Sequence, residues 1–123
     1  MAVLAVIKPY AATASPPGAG CIALGAGTTP LIGGDSFPND GRTILRLTNA
    51  NAATRTVTIA PVTASPANYV TYKTWAFVIP INTGDLVTRT FETSIYNNAS
   101  GEVAMTYDAV AQVTIWCISA NGG

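Results

Sequence analysis

A chain that holds six carboxylates, two cysteines and no histidine has few ways to do chemistry. Without imidazole it lacks the commonest general base, the Ser–His and Cys–His nucleophile pairs and the commonest zinc ligand. Cys21 and Cys117 cannot make a structural zinc site on their own. Ser–Lys catalysis needs a lysine beside a serine, whereas Lys8 and Lys73 stand in strand-like and tyrosine-rich surroundings. Glycosidase-type carboxylate pairs stay formally open, since Asp35, Asp40, Asp85, Glu92, Glu102 and Asp108 are present. Most of these lie in turn sequences, where a carboxylate caps backbone N–H groups as ordinary turn chemistry. The same holds for Asp35, Asn39 and Asp40, whose oxygens could in principle face calcium but are better explained by a capped turn.

Two further patterns carry no chemistry. Gly18-Ala19-Gly20-Cys21-Ile22-Ala23 matches a relaxed G-x-G-x-x-A but follows Pro16-Pro17 and opens no helix. The dinucleotide fingerprint requires a strand before it and a helix after it. Asn98-Ala99-Ser100 fits a glycosylation sequon, which matters only in a eukaryotic secretory pathway. Trp75, Trp116, Tyr69, Tyr72 and Tyr96 could form a sugar-stacking platform, or could pack in a core or interface. The expectation is a protein that is not an enzyme, with no catalytic, cofactor-binding or metal-binding residue.

Composition narrows the class further. Charged residues are 10% of the chain, against about 25% in an average soluble domain, and basic and acidic groups cancel. A surface so poor in charge invites association. Lys8, Arg42, Arg46, Arg55, Lys73 and Arg89 are scattered, which argues against nucleic acid as a partner. No apolar run approaches the ~18–20 residues of a membrane-spanning helix. The opening MAVLAVIKPY has a short apolar run with its lysine behind it, the reverse of a signal peptide, and reads as a strand over residues 3–8. Cys21 and Cys117 could pair, but Cys117 sits in an apolar strand pattern where a buried free thiol is the ordinary outcome.

The elements that would position these residues are short strands. Residues 43–48 and 54–60 alternate, with Leu45, Leu47, Val57 and Ile59 facing one way. The five-residue loop Asn49-Ala50-Asn51-Ala52-Ala53 between them suggests an antiparallel hairpin. Trp75–Ile79 reads as a strand that Pro80 ends, and 86–91 as a loosely alternating one. Ile95–Gly101 is a strong turn, and 102–107 and 112–118 form the last pair of strands. From Pro9 to Gly34 there is no charged side chain, and Gly and Pro are too frequent for a helix. Such an uncharged, partly apolar stretch suits an arm lying on another surface, either its own sandwich or a neighbouring subunit.

Two stretches carry a resemblance. One is Gly34-Asp35-Ser36-Phe37-Pro38-Asn39-Asp40-Gly41-Arg42-Thr43, followed by an alternating strand, Asn49 and Thr56-Val57-Thr58-Ile59. The other is Phe91-Glu92-Thr93-Ser94-Ile95-Tyr96-Asn97-Asn98-Ala99-Ser100-Gly101-Glu102-Val103, then Thr106 to Val110. Over roughly Gly33 to Ile118 the chain resembles small β-rich proteins encoded near the major capsid protein of tailed bacteriophages. These carry a similar F-x-x-S-I-Y-N-x-x-x-G-x-V segment before their final two strands. The resemblance implies a head decoration, or cement, protein that sits on the capsid exterior, often as a trimer, and clamps neighbouring capsomers.

The expected fold is all-β: an antiparallel β-sandwich, jelly-roll-like, of about seven or eight strands. The expected organisation is one domain over 1–123, with a first strand and arm in 1–35, a sandwich core in 36–118 and a flexible tail in 119–123. The apolar, charge-free residues Val3, Leu4, Val6, Ile22, Leu24, Leu31 and Ile32 are the candidate subunit or capsid contacts. The expected partners are the major capsid protein and further copies of the chain, as a homotrimer, with no nucleic acid and no membrane. The expected place is the virion exterior, after assembly in the host cytoplasm. Alternatives are a carbohydrate-binding or adhesin module, and a head–tail joining or tail subunit.

Overall fold

A computed structural model describes residues 2–7, 25–63 and 71–119. In chain order the elements are β1 (Ala2–Val3), β2 (Val6–Ile7), β3 (Asp35–Pro38), β4 (Thr43–Asn49), β5 (Arg55–Ile59), β6 (Trp75–Ile79), β7 (Gly84–Val87), a single helical turn α1 (Thr93–Tyr96), β8 (Glu102–Tyr107) and β9 (Val113–Ser119). Five strands form one sheet in the order β1-β3-β8-β5-β6, and four form the other in the order β2-β9-β4-β7. The expected β-sandwich is what the chain builds. Cys21, Ile22, Leu24, Ser65-Pro66, Tyr69 and residues 120–123 lie outside the described residues.

Alternation builds the core. In β4, Thr43, Leu45, Leu47 and Asn49 are buried while Ile44, Arg46 and Thr48 are half-exposed, and β9 repeats the pattern. The two strands pair over their full length, from Thr43 opposite Ser119 to Asn49 opposite Val113. Leu45, Leu47, Ile115 and Cys117 therefore face Phe37, Val57, Ile59, Val103 and Met105 of the other sheet, all nearly inaccessible. Burying each such side chain stabilises the fold by roughly 1.5–3 kcal/mol.

The pairing of the strands departs from the expected hairpin. β4 bonds β9 and β7, whereas β5 bonds β6 and β8, so the loop after Asn49 carries the chain from one sheet to the other. Asn49 is the physical reason. Its buried side chain accepts from Asn51 N–H at 2.9 Å and donates to the carbonyls of Ala53 and Pro80 at 2.9 and 3.1 Å. Those bonds turn the chain across the core instead of back along β4. The last two strands likewise sit in opposite sheets, and among the described strands only β5 and β6 are neighbours both in sequence and in a sheet.

Three further expectations change. The strand expected over 3–8 is two short strands, β1 parallel to β3 and β2 parallel to β9. Between them Leu4 turns into the core, 4% exposed, its N–H bonded to Ser36 O at 2.7 Å. The strand expected over 86–91 ends at Val87, because Thr88 turns its hydroxyl back to accept Leu45 N–H at 3.0 Å. Phe91 then enters the core. Residues 93–96 make one helical turn, too short for a helical period to show in sequence.

The two stretches that carry the resemblance meet at one end of the sandwich. Asn39, 7% exposed, donates to Phe91 O at 2.9 Å and to Asn97 Oδ1 at 2.7 Å, and accepts from Gly41 N–H at 3.0 Å. Asn97 returns a bond to Asn39 O at 2.9 Å, and Gly101 O accepts Asn39 N–H at 3.1 Å. Beneath this clasp the Phe91 ring meets those of Phe37, Phe77 and Tyr96, with centroids 5.9–6.2 Å apart. Asn39→Ala strips partners from several buried polar groups, each worth about 1–3 kcal/mol when left unmade. A loss of about 3 kcal/mol is expected in chemical denaturation, whereas Ala52→Ser, on an exposed loop, should change stability by less than about 0.5 kcal/mol.

Candidate functional site

The expected contact residues divide by burial. Val3, Leu31 and Ile32 are 56%, 50% and 64% exposed. Val6 is half-buried against the core, and Leu4 is a core residue, so its side chain is not offered to a partner. Leu31 and Ile32 lie in a turn closed by Gly34 N–H to Leu31 O at 2.9 Å. The turn runs into β3, the strand that pairs β1 through Val3 and Ser36. The three exposed apolar side chains therefore belong to the edge strand β1 and to the turn that leads into its partner β3.

The described end of the arm lies on its own sandwich. Thr28 exchanges backbone bonds with Ile115 at 2.8 and 2.9 Å, and Trp116 Nε1 donates to Gly25 O at 3.1 Å. Gly27, at φ +76°, is packed so closely on Thr114 and Trp116 that a Cβ there would lie 2.5 Å from Thr114 Cγ2. Arg46 holds Trp116 from another side, its guanidinium carbon 4.6 Å from the ring centroid, and forks onto Asp85 at 2.8 and 3.1 Å. That hydrogen bonding lowers the Asp85 pKa and raises that of Arg46. Beside them Ile7, Ile118 and Ile44 form a row across the outer face of the four-stranded sheet.

Among the described residues no three His, Cys, Asp or Glu side chains gather as a metal site. The carboxylates do other work. Asp35, fully buried, accepts from Tyr107 OH at 2.7 Å and Leu31 N–H at 3.1 Å. Asp40 accepts from Arg42 N–H and from the hydroxyls of Thr43 and Ser119. Asp108 caps Thr56 N–H at 2.8 Å. Cys117 is buried with a free thiol, which burial and then the Asp35 charge push up to about 12. Burial and the bond to Asp35 raise the Tyr107 phenol as well.

One constellation was not legible beforehand. At the clasp end a depression of about 150 Å³ is lined by Tyr72, Lys73, Trp75, Arg89, Glu92 and Tyr96, among others. Lys73 Nζ and Arg89 Cζ lie 4.6 and 4.7 Å from the Trp75 ring centroid. Phe77 runs nearly parallel to the same ring at 6.2 Å. Trp75 Nε1 donates to Tyr96 OH at 2.9 Å, and that hydroxyl donates to Lys73 O at 2.6 Å. Lys73 and Trp75, two apart on an extended chain, share a side; that spacing was the available signal. Arg89 arrives from a loop that sequence does not place, and Trp116, grouped with Trp75 by composition, belongs to the other sheet.

No family profile matches the chain, and neither a curated protein nor a solved structure matches it.

Two measurements check this geometry. Gly27→Ala should lower stability by about 1–3 kcal/mol through overpacking and a strained φ, and should change the environment of Trp116 in near-ultraviolet circular dichroism. The folded state holds the Cys117 and Tyr107 protons to higher pH than the unfolded chain. Stability is then full below pH ~9 and falls as pH rises toward the folded Cys117 value of about 12. Denaturation midpoints between pH 8 and 11 should show this decline, and Cys117→Val or Tyr107→Phe should make it shallower.

Proposed function

We propose that this chain is a structural virion protein of a tailed bacteriophage, which binds the outside of the capsid and stabilises contacts between capsomers without catalysis. The observation that carries the reading is the exposure of the apolar Val3, Leu31 and Ile32 on a molecule whose charge content is only 10%. Its partners are the major capsid protein and further copies of itself, as a homotrimer on the virion exterior, assembled in the host cytoplasm. Cementing requires buried area and a stiff frame instead of a reactive group. On a closed shell, many weak contacts add through effective concentration.

The resemblance to decoration proteins supports the same reading. Its two stretches are those that the Asn39 clasp joins, so what they specify is the frame itself. The carbohydrate-binding alternative would rest on the aromatic side chains. Trp75, Tyr72 and Tyr96 do share a depression, but Phe77, Lys73 and Arg89 pack against Trp75.

The test uses expanded phage capsids that lack their decoration protein. The chain is expected to sediment with them, to saturate at a fixed ratio per capsomer and to raise their melting temperature. Val3→Asp with Ile32→Asp, both exposed, should leave the isolated fold intact and weaken attachment at least tenfold. A protein that stays monomeric and ignores every such shell would sink the proposal.

A further inference from the structure

The depression at Trp75 has two features that point to a ligand. Lys73 and Arg89 both settle on one ring, and neither makes an ion pair within the described residues. Like charges drawn to one spot repel each other, so the site holds positive potential that the ring quadrupole and the single Glu92 carboxylate in the lining offset only in part. The side chains are also pre-ordered. Trp75 is fixed by its bond to Tyr96, whose hydroxyl is held by Lys73 O, so the cations rest on a rigid plate. Less rotamer entropy is then lost when an anion arrives.

From these observations we infer that the depression is a carboxylate-binding site, which takes an acidic side chain from an extended peptide segment of a protein partner. Charge decides for a carboxylate. Lys73, Arg89 and Glu92 leave the lining with one net positive charge, which matches a monoanion and disfavours a dianionic phosphate. The planar Arg89 fork suits two carboxylate oxygens. The neighbouring strand decides for a peptide. β6 begins at Trp75 and is, among the described residues, the outer strand of its sheet, so main-chain pairing along it would lead an alternate side chain to the depression. A neutral sugar would need a bare aromatic face, and at Trp75 the ring packs against Phe77 and both cations.

The inference goes beyond the virion reading and does not require it, since it concerns the chemistry of one site on the isolated protein. The probe is an acetylated, amidated pentapeptide of alternating Thr and Glu, titrated into the full chain at low salt and followed by amide shifts in NMR. Binding in the millimolar range or tighter is expected, with shifts along β6 and at Arg89 and Thr90. The same peptide with Gln for Glu should bind at least tenfold more weakly, as should Lys73→Gln with Arg89→Gln. Raising salt to 0.5 M should weaken binding several-fold. Both lysine and arginine are exposed, and an unchanged melting temperature for the double variant certifies its fold. Four results would overturn the inference: no binding of the Glu peptide, equal binding of the Gln peptide, tighter binding of inorganic phosphate than of the peptide, or equal binding of trigalacturonate at the same residues. Capsid attachment is read separately, so either idea can fail while the other stands.

Discussion

Each time the chain passes from one sheet to the other it leaves backbone groups that neither ladder can take. An unpaired buried N–H or C=O costs about as much as a lost hydrogen bond, so a fold made mostly of crossings must find other partners for them. This one uses short amide and carboxylate side chains. Asn49 takes the crossing from β4 to β5, Asn39 and Asn97 take those that flank β3 and α1, and Asp108 caps Thr56 N–H beside the exit from β8. Among the described residues no buried side-chain nitrogen or oxygen lacks a partner. The hydrophobic core can be as plain as it is because these polar groups fix where each strand must go.

That division explains what the sequence disclosed. Period-2 alternation shows where a strand is, since it reports one buried face, and β4, β5, β8 and β9 were visible for that reason. It carries no information about which strand lies alongside. The loop of Asn49 to Ala53 has the length and composition of a hairpin loop, and it is the bonds of the Asn49 amide, with those that Ala50 and Asn51 make to Gln112 and Asn82, that make it a crossing. In sequence Leu4 looks like a contact residue because its neighbours look alike, while in space the chain bends there between two sheets and buries it. The Trp75 site was hidden because its second cation comes from a loop whose position depends on the whole fold.

The scarce charges are placed with economy. Asp35 and Asp40 organise the turns on either side of β3, and Arg46 and Asp85 hold one another beside Trp116. What remains on the outer face of the four-stranded sheet is a row of isoleucines, and on β1 and the turn before β3 three apolar side chains. Lys73 and Arg89 stand out against that background, since each lies over an aromatic ring with no carboxylate paired to it among the described residues.

The position of β9 bears on how the molecule comes into being. It lies between β2 and β4, so the strand formed by residues 113–119 is the seam on which residues 6–7 and 43–49 both depend. During synthesis the four-stranded sheet has no middle until that stretch has left the ribosome. The greasy inner faces of β4 and of the opposite sheet must wait, unmatched, for it. Contacts of such long sequence separation make for slow closure, and a nascent chain in that condition is the one most in need of a chaperone.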